Sequence, residues 1–294
     1  MAGKAEPTSR KNGWLFRLAG VRWDIAPMNK GFLTNLLRQA GLMHAADRLR
    51  YGLMRYRNRA ANQAWRAAHP GVALPPDYLM YESFQLNYRK YYEGGRDTAA
   101  WVRDHLGRHL MLQNQHILDW GCGPGRVIRH LPEVVGQGCR YTGTDYNPQS
   151  IKWCRENLPG IDFLLNELDP PLQAAPNTFD AVYGISIFTH LSAAAHQRWY
   201  DELLRVTRPG GVLLLTTHGA AFRDIMTDPE RATFDADQLV IRSNVDEGHR
   251  VFAAFQPPAF LHALFGQQAA VLEHIPGQRQ GAAASQDVWL LRKL

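Results

Sequence analysis

Asp119, Gly121, Gly123 and Gly125 fall within the stretch ILDWGCGPGRVIRHL, residues 117 to 131, and their types and spacing suggest a binding chemistry. Ile117 and Leu118 end a short apolar strand, and Asp119 sets a carboxylate at its tip. Three glycines separated by single residues then make a turn whose backbone can approach a ligand with no Cβ atoms in the way. Arg126 to Leu131 return to helical spacing. The pattern is GxGxG, not the GxGxxG of dinucleotide sites, where a helix N-terminus meets a pyrophosphate. A carboxylate beside the cradle repels a pyrophosphate and attracts a cation. The expected ligand is nucleoside-like and carries an amine or a sulfonium.

The elements that must position such a ligand follow in order. RYTGTD, Arg140 to Asp145, reads as a second strand ending in a carboxylate that can accept both hydroxyls of a ribose, about twenty residues beyond the turn. Asn147 is a candidate cap and Pro148 a first-turn residue for a helix carrying Ile151, Cys154 and Leu158. Ile161 to Leu165 is a third apolar run, followed by Asn166, Glu167, Leu168 and Asp169. FDAVYGISI, Phe179 to Ile187, is a near-continuous apolar run suited to a strand buried on both faces, and it leads into His190. A helix is predicted over 196–207, stopped by Pro209, Gly210 and Gly211, with Val212 to Thr217 as a fifth strand leading into His218. Ligands bind at the C-terminal edge of such sheets, so His190 and His218 are the candidate general bases. Each reads equally as a structural hydrogen-bonding residue or a cofactor contact. Arg223 and Asp224 are weaker candidates for orienting the base or the substrate. His105 and His109 share a predicted helix face, but with no acidic or cysteine neighbour they read as a solvated face and not a metal site.

These residues resemble motif I of the class I S-adenosylmethionine-dependent methyltransferases, hydrophobic-hydrophobic-(Asp/Glu)-x-Gly-x-Gly-x-Gly, and LLRVTRPGGVLLL resembles that family's helix-to-strand turn. The resemblance covers roughly residues 82 to 293. It implies a three-layer α/β sandwich around a mostly parallel, seven-stranded Rossmann-like sheet, with Ala270 to Ile275 as strand six and Asp287 to Leu291 as an antiparallel strand seven. It implies S-adenosyl-L-methionine as cofactor and S-adenosyl-L-homocysteine as product. Asp119, Gly121, Cys122, Gly123 and Gly125 inherit contacts from the glycine turn, and Asp145 with Tyr146 the ribose end. Glu167, preferred over Asp169, and Leu168 fall near the adenine, and Ile185 at the end of strand four. Residues 77 to 95 resemble a segment that closes over the methionine end, with Tyr92 as the contact; a plain hydrophobic packing segment is the other reading. No metal is expected.

Composition narrows the remaining classes. A chain of 294 residues can bury one large core, and the expected organisation is a helical extension over 1–76, a lid over 77–95 and a methyltransferase domain over 96–294. No apolar run approaches the roughly eighteen residues that span a bilayer. The start of the chain does not read as a secretory signal, and three cysteines without paired spacing suit reduced thiols, so a cytoplasmic protein is expected. Residues 1 to 76 hold 13 Lys+Arg against 3 Asp+Glu, a balance of +10 within a total of +6. That segment carries Trp14, Phe16, Trp23 and Phe32, then a long helix expected over 35–68. Its basic and aromatic side chains suit an anionic membrane surface held peripherally, or a helix packed on the core through Leu49, Leu53, Tyr56 and Trp65 with its arginines in solvent. RNA ranks below the membrane, because no recognisable RNA module accompanies the charge.

The expected function is methyl transfer to oxygen of a polar acceptor: a sugar, a glycan or a specialised metabolite. RNA methylation, or a non-catalytic cofactor-binding scaffold recruited through the basic extension, are the alternatives. Oligomeric state is not encoded in any of these features.

Overall fold

A computed structural model describes residues 43–136, 138–242, 252–281 and 283–294. Trp14, Phe16, Trp23, Phe32 and the first part of the expected long helix lie outside them.

Helices α1 (Met43–Ala68), α2 (Asp77–Ser83) and α3 (Tyr88–Leu106) precede the sheet. Strands β1 (His116–Trp120), β2 (Arg140–Asp145), β3 (Asp162–Leu165), β4 (Phe179–Gly184) and β5 (Thr207–Thr217) alternate with α4 (Leu131–Val135), α5 (Pro148–Asn157) and α6 (Ala193–Val206). After β5 come α7 (Asp228–Asp235), the antiparallel ribbon of β6 (Val240–Arg242) and β7 (Ala253–Phe255), and α8 (Pro258–Phe265). The chain closes with β8 (Ala269–Ile275), the short hairpin of β9 (Arg279–Gln280) and β10 (Ala283–Ala284), and β11 (Asp287–Lys293).

Seven strands form one sheet in the order β3-β2-β1-β4-β5-β11-β8. β1 to β5 are parallel, and β11 runs antiparallel to both β5 and β8. The expected mostly parallel sheet with an antiparallel last strand is therefore the one observed. Successive strand residues face opposite sides. Leu118, Val182, Leu213 and Leu215 pack with Trp199 and Leu203 of α6 and with Leu261 and Phe265 of α8. Ile117, Ala181, Val212 and Leu214 pack with Ala99, Val102 and Leu106 of α3 and with Ile151 and Cys154 of α5. This alternation makes the three layers, and it explains why strands buried on both faces read as unbroken apolar runs.

Three boundaries differ from the sequence expectation, each for a local reason. Ser192 Oγ accepts from the Ala195 amide, so α6 begins at Ala193 and not at 196. β5 begins at Thr207, because Phe179 pairs with Thr207 while Ala181 pairs with Val212, leaving the Pro-Gly-Gly turn bulged between them. The glycine turn does not run directly into a helix. Residues 128 to 130 form a 3-10 turn, and only Leu131–Val135 is α-helical, with Pro132 in its first turn.

α1 packs through a different face from the one its apolar residues suggest. Trp65 is buried, but Leu49, Leu53 and Tyr56 are exposed. The packed face carries Asp47, Met54, Asn58 and Asn62. Tyr81 Oη donates to Asp47 Oδ1 at 2.6 Å, Asn87 Nδ2 to Asn58 Oδ1 at 3.0 Å, and the Tyr88 amide to Asn62 Oδ1 at 3.0 Å. These bonds satisfy the buried polar groups and fix α1 against α2 and α3.

Candidate functional site

A cleft of about 480 Å³ opens at the C-terminal ends of β1, β2 and β4. Its floor is the glycine turn. Gly121 and Gly123 have φ of +77° and +51°, values that disfavour a side chain. A Cβ on Gly121 would meet Ile187 Cδ1 at 2.1 Å, and one on Gly123 would come within 3.1 Å of Ser83 Cβ. Gly125 is different. It does not line the cleft, and its missing Cβ makes room for Leu158 Cδ1 and Cys154 Sγ, so it serves the packing of α5 and not the ligand.

Two strand-end carboxylates face the cavity. Asp145 Oδ2 accepts from the Gly123 amide and Oδ1 from the Asn147 amide, both at 2.8 Å. One carboxylate thus ties the glycine turn to the end of β2. Asn147 in turn caps α5, accepting from the amides of Gln149 and Ser150. Burial raises the Asp145 pKa, and the Asn147 and Gly123 amides oppose that shift. Burial also pushes Asp119 up to about 7. The Tyr183 hydroxyl and the Arg126 guanidinium pull the other way, and the Asp145 charge adds to the rise. Glu82 of α2 is a third carboxylate on the wall. Among the described residues Arg126 is the one arginine or lysine in the lining, and it lies over the Phe84 ring at 4.4 Å. The walls therefore favour a cationic ligand over a phosphate, as the carboxylate beside the turn implies.

A smaller recess of about 70 Å³ shares Gly121, Asp145, Tyr146, Ile187 and His190 with the cleft. Trp120, Leu191 and Trp199 make it apolar, and Glu167 and Leu168 close it. Asp169, the alternative acid, is ion-paired with Arg198 instead. Asn166 was not singled out from sequence. Its Nδ2 donates to the Glu167 carbonyl at 2.7 Å, which fixes the amide orientation. The residue lines the recess, and its buried Oδ1 has no hydrogen-bond partner among the described residues. Such an orphaned acceptor is costly unless a ligand supplies a donor. The flat apolar recess, the unpaired acceptor and the strand-end carboxylate fit the adenosine part of S-adenosylmethionine. The acidic cleft fits its cationic end.

The two histidines separate. His190 follows β4 and lines both cavities. Its Nδ1 lies 2.8 Å from the Phe252 carbonyl. A carbonyl can only accept, so Nδ1 donates to it. His218 lines neither cavity. It lies against the rings of Phe222 and Phe255, with Nδ1 at 3.2 Å from the Ala254 carbonyl. Burial, with repulsion from His190, lowers its pKa to about 3. A nitrogen that holds a proton so weakly makes a poor base, so His218 fits a structural position better than the catalytic one.

Further expectations are also corrected. Tyr92 does not line the cleft. It packs edge-on against His130, with the Arg129 guanidinium over its ring. The neighbouring Tyr91 donates its buried hydroxyl to the Pro124 carbonyl at 2.9 Å. The upper wall comes from Leu79, Glu82, Ser83 and Phe84, before the tyrosines. Arg223 is paired with Asp235 and Asp224 with Arg279, so neither orients a histidine. α3 ends at Leu106, which puts His109 off the helix and against Glu273. No cluster suited to a metal ion occurs among the described residues.

Sequence reasoning also missed Ser186. It stands in the left-handed region at φ +67°, lining the cleft at the end of β4, and backbone strain of this kind collects at functional sites. Its amide donates to Thr216 Oγ1 and its hydroxyl accepts from Gln286 Nε2, both at 2.8 Å. Only the β4 periodicity breaking at this position hints at it.

Comparison with known proteins agrees with the resemblance read from the glycine turn. Residues 117–211 match the methyltransferase-domain family. A phthiotriol/phenolphthiotriol dimycocerosates methyltransferase of Mycobacterium ulcerans is 32% identical over 146 residues, 46% of this chain and 49% of that one. A trans-aconitate 2-methyltransferase of Azoarcus is 29% identical over 127 residues, 43% and 48% of the two chains. The chain thus spans about half the length of the curated relatives it matches. An S-adenosylmethionine-dependent methyltransferase from Methanosarcina mazei superposes with a TM-score of 0.50 at 18% identity, covering 65% of this chain and 97% of that one, which is a likeness of fold.

Proposed function

We infer that this chain is a class I S-adenosylmethionine-dependent methyltransferase, and from that premise propose that it methylates an oxygen of a polar small-molecule or glycan acceptor. The observation that carries the reading is the position of His190, on the border of the two cavities with Nδ1 against the Phe252 carbonyl. A hydroxyl is a poor nucleophile until a base takes its proton, whereas an amine or a carboxylate needs only orientation and desolvation. A base kept in one tautomer at the rim is what an alcohol acceptor requires.

The cofactor, when bound, supplies a methyl group made electrophilic by a sulfonium. The chain's own residues do the rest. Asp145, held by two backbone amides, would accept from the ribose hydroxyls. Asn166 would accept from the adenine amine in the recess, with Glu167 at its edge. Asp119 and Glu82 balance the cationic end, and the missing Cβ atoms of Gly121 and Gly123 let the ligand lie against the backbone. Leu79 and Phe84 screen the cleft from water. His190 Nε2 takes the acceptor proton as the oxygen is methylated.

The named relatives act on phthiotriol/phenolphthiotriol dimycocerosates and on trans-aconitate, neither of them a nucleic acid, which supports a small-molecule or lipid acceptor over RNA. The test is release of S-adenosylhomocysteine when the purified protein meets panels of alcohol, carboxylic acid and amine acceptors. Turnover confined to alcohols, and lost in His190→Ala, supports the reading. Turnover on amines that survives His190→Ala removes it.

A further inference from the structure

The face of α1 turned away from the rest of the molecule has an ordered composition. Leu49, Leu53 and Tyr56 follow one another at i, i+4 and i+7 and so form one stripe, and they are 77%, 46% and 79% exposed. At 100° per residue, exposed Arg50 and Arg57 lie along one side of the stripe, and exposed Arg48, Arg55, Arg59 and Arg66 along the other. The helix holds one acidic residue, Asp47, which is buried on the opposite face. The exposed face thus has an apolar centre, cationic edges and no carboxylate.

Beside one cationic edge lies a groove of about 660 Å³, remote from the glycine turn, where α1 meets the first residues of α2 and α3. Arg55, Arg59 and Arg66 line it with Tyr56 and Tyr88. Its one carboxylate among the described residues, Asp77, already accepts from Tyr88 Oη at 2.7 Å and sits 3.4 Å from Arg55. The groove keeps a surplus of guanidinium donors, whose planar forks suit phosphate oxygens.

We propose that α1 is an in-plane docking helix for an anionic phospholipid surface. Leu49, Leu53 and Tyr56 enter the boundary between headgroups and acyl chains, the flanking arginines reach up to the headgroups, and the groove receives lipid phosphate. The charge pattern selects this occupant. A free phosphate or an RNA would use the arginines and leave the apolar stripe in water, whereas a lipid boundary uses both. Residues 1 to 42 are themselves basic, with 7 Lys+Arg against 2 Asp+Glu, and so add to the charge that favours an anionic surface. The packed side of α1 holds α2, whose Leu79, Glu82 and Ser83 line the cleft, so the docking helix backs one wall of the site. The docking surface does not depend on the methyl-transfer reading.

The test is co-sedimentation of the full chain with vesicles of phosphatidylcholine alone and of equimolar phosphatidylcholine and phosphatidylglycerol. Binding is expected to the anionic vesicles only. Leu49→Asp with Leu53→Asp lowers partitioning by more than about tenfold. Arg55→Glu and Arg59→Glu each lower it about fivefold or more. Lys152→Glu with Arg140→Glu, exposed positions outside α1 and the groove, leaves it unchanged. All these positions are exposed, so the variants keep the native cofactor affinity in calorimetry, which shows that they are folded. No binding by the unmodified protein, or equal loss in the Lys152 and Arg140 control, overturns the proposal. So does loss with the arginine variants but none with the leucine pair, because that pattern belongs to a phosphate or RNA site.

Discussion

Two aspartates buried on adjacent strands of one sheet are treated in opposite ways. Asp180, near the start of β4, accepts from the His116 amide at 2.5 Å and is ion-paired with Arg208. Asp119, near the end of β1, lies among apolar groups with the Tyr183 hydroxyl and one guanidinium nearby, and burial pushes it up to about 7. Burial of a charge is costly unless a partner offsets it. At the Asp180 end the fold supplies that partner. At the Asp119 end it leaves the compensation to whatever enters the cleft. The first arrangement holds strands together, and the second leaves a carboxylate whose charge a cationic ligand would stabilise.

Variants at the two ends should therefore damage different properties. The largest effect is expected at His190. His190→Ala lowers turnover by about 10² to 10⁴ with cofactor affinity kept, the usual contribution of a general base. His218→Ala should instead lower thermal stability while the affinity and the pH profile of turnover stay as they are. A kinetic loss in His218→Ala matching that of His190→Ala would undo the separation of the two histidines.

The next largest effect is on binding. Asp119→Asn is expected to weaken S-adenosylmethionine by about tenfold and the product, which lacks the sulfonium charge, by less, because the lost attraction is to positive charge. Equal weakening of both ligands would assign Asp119 to turn structure and not to charge recognition.

Asp180→Asn is expected to cost about 1–3 kcal/mol of folding stability with cofactor affinity unchanged, as one side of a buried hydrogen-bonded pair is lost. Chemical denaturation and calorimetry on the same sample check it. A fall in affinity at unchanged stability would reverse the roles given to the two ends.

The smallest effect is a slope with pH. The folded protein keeps a proton on Asp119 up to about 7, while the unfolded chain releases it near the ordinary 3.8. Between those values the folded state binds more protons, so the stability of the apoprotein falls as pH rises from about 4 to about 7. Asp119→Asn should flatten this slope, and saturating S-adenosylmethionine should offset it. Identical slopes in the two proteins would mean that Asp119 is ionised in the empty cleft.

The difference between the two ends is only partly visible in the sequence. The glycine turn, Asp119 and Asp145 were legible because a positive-φ turn and a strand-end carboxylate are local features. The seven strands were legible because apolar runs closed by Gly, Pro and Asn are local too. α1 was legible as a helix but not in its orientation. Its apolar residues mark the exposed face, and the packed face is held by Asp47, Asn58 and Asn62 through bonds to α2 and α3. Helical periodicity assumes that burial is apolar, and here polar bonds share the packed face with Tyr51, Met54 and Trp65.

His190 and His218 look alike in sequence because each follows a strand. What separates them is the β6–β7 ribbon. The carbonyl of Phe252 just before it fixes His190, that of Ala254 holds His218, and Gln256 just beyond it bonds to both the His218 amide and the Phe188 carbonyl. Those contacts span 36 to 68 residues, so no local pattern announces them. Asn166 was passed over for its acidic neighbour Glu167, because only the structure shows an acceptor left without a donor.

The most direct test of the central claim, that the acidic cleft beside the glycine turn binds S-adenosylmethionine through Asp145, is titration calorimetry of that ligand and of S-adenosylhomocysteine against the unmodified protein and Asp145→Ala. Two charge-assisted hydrogen bonds to a ribose predict micromolar binding in the first and a loss of about a hundredfold in the second. Equal affinities in the two proteins, or no binding to the unmodified one, would contradict it.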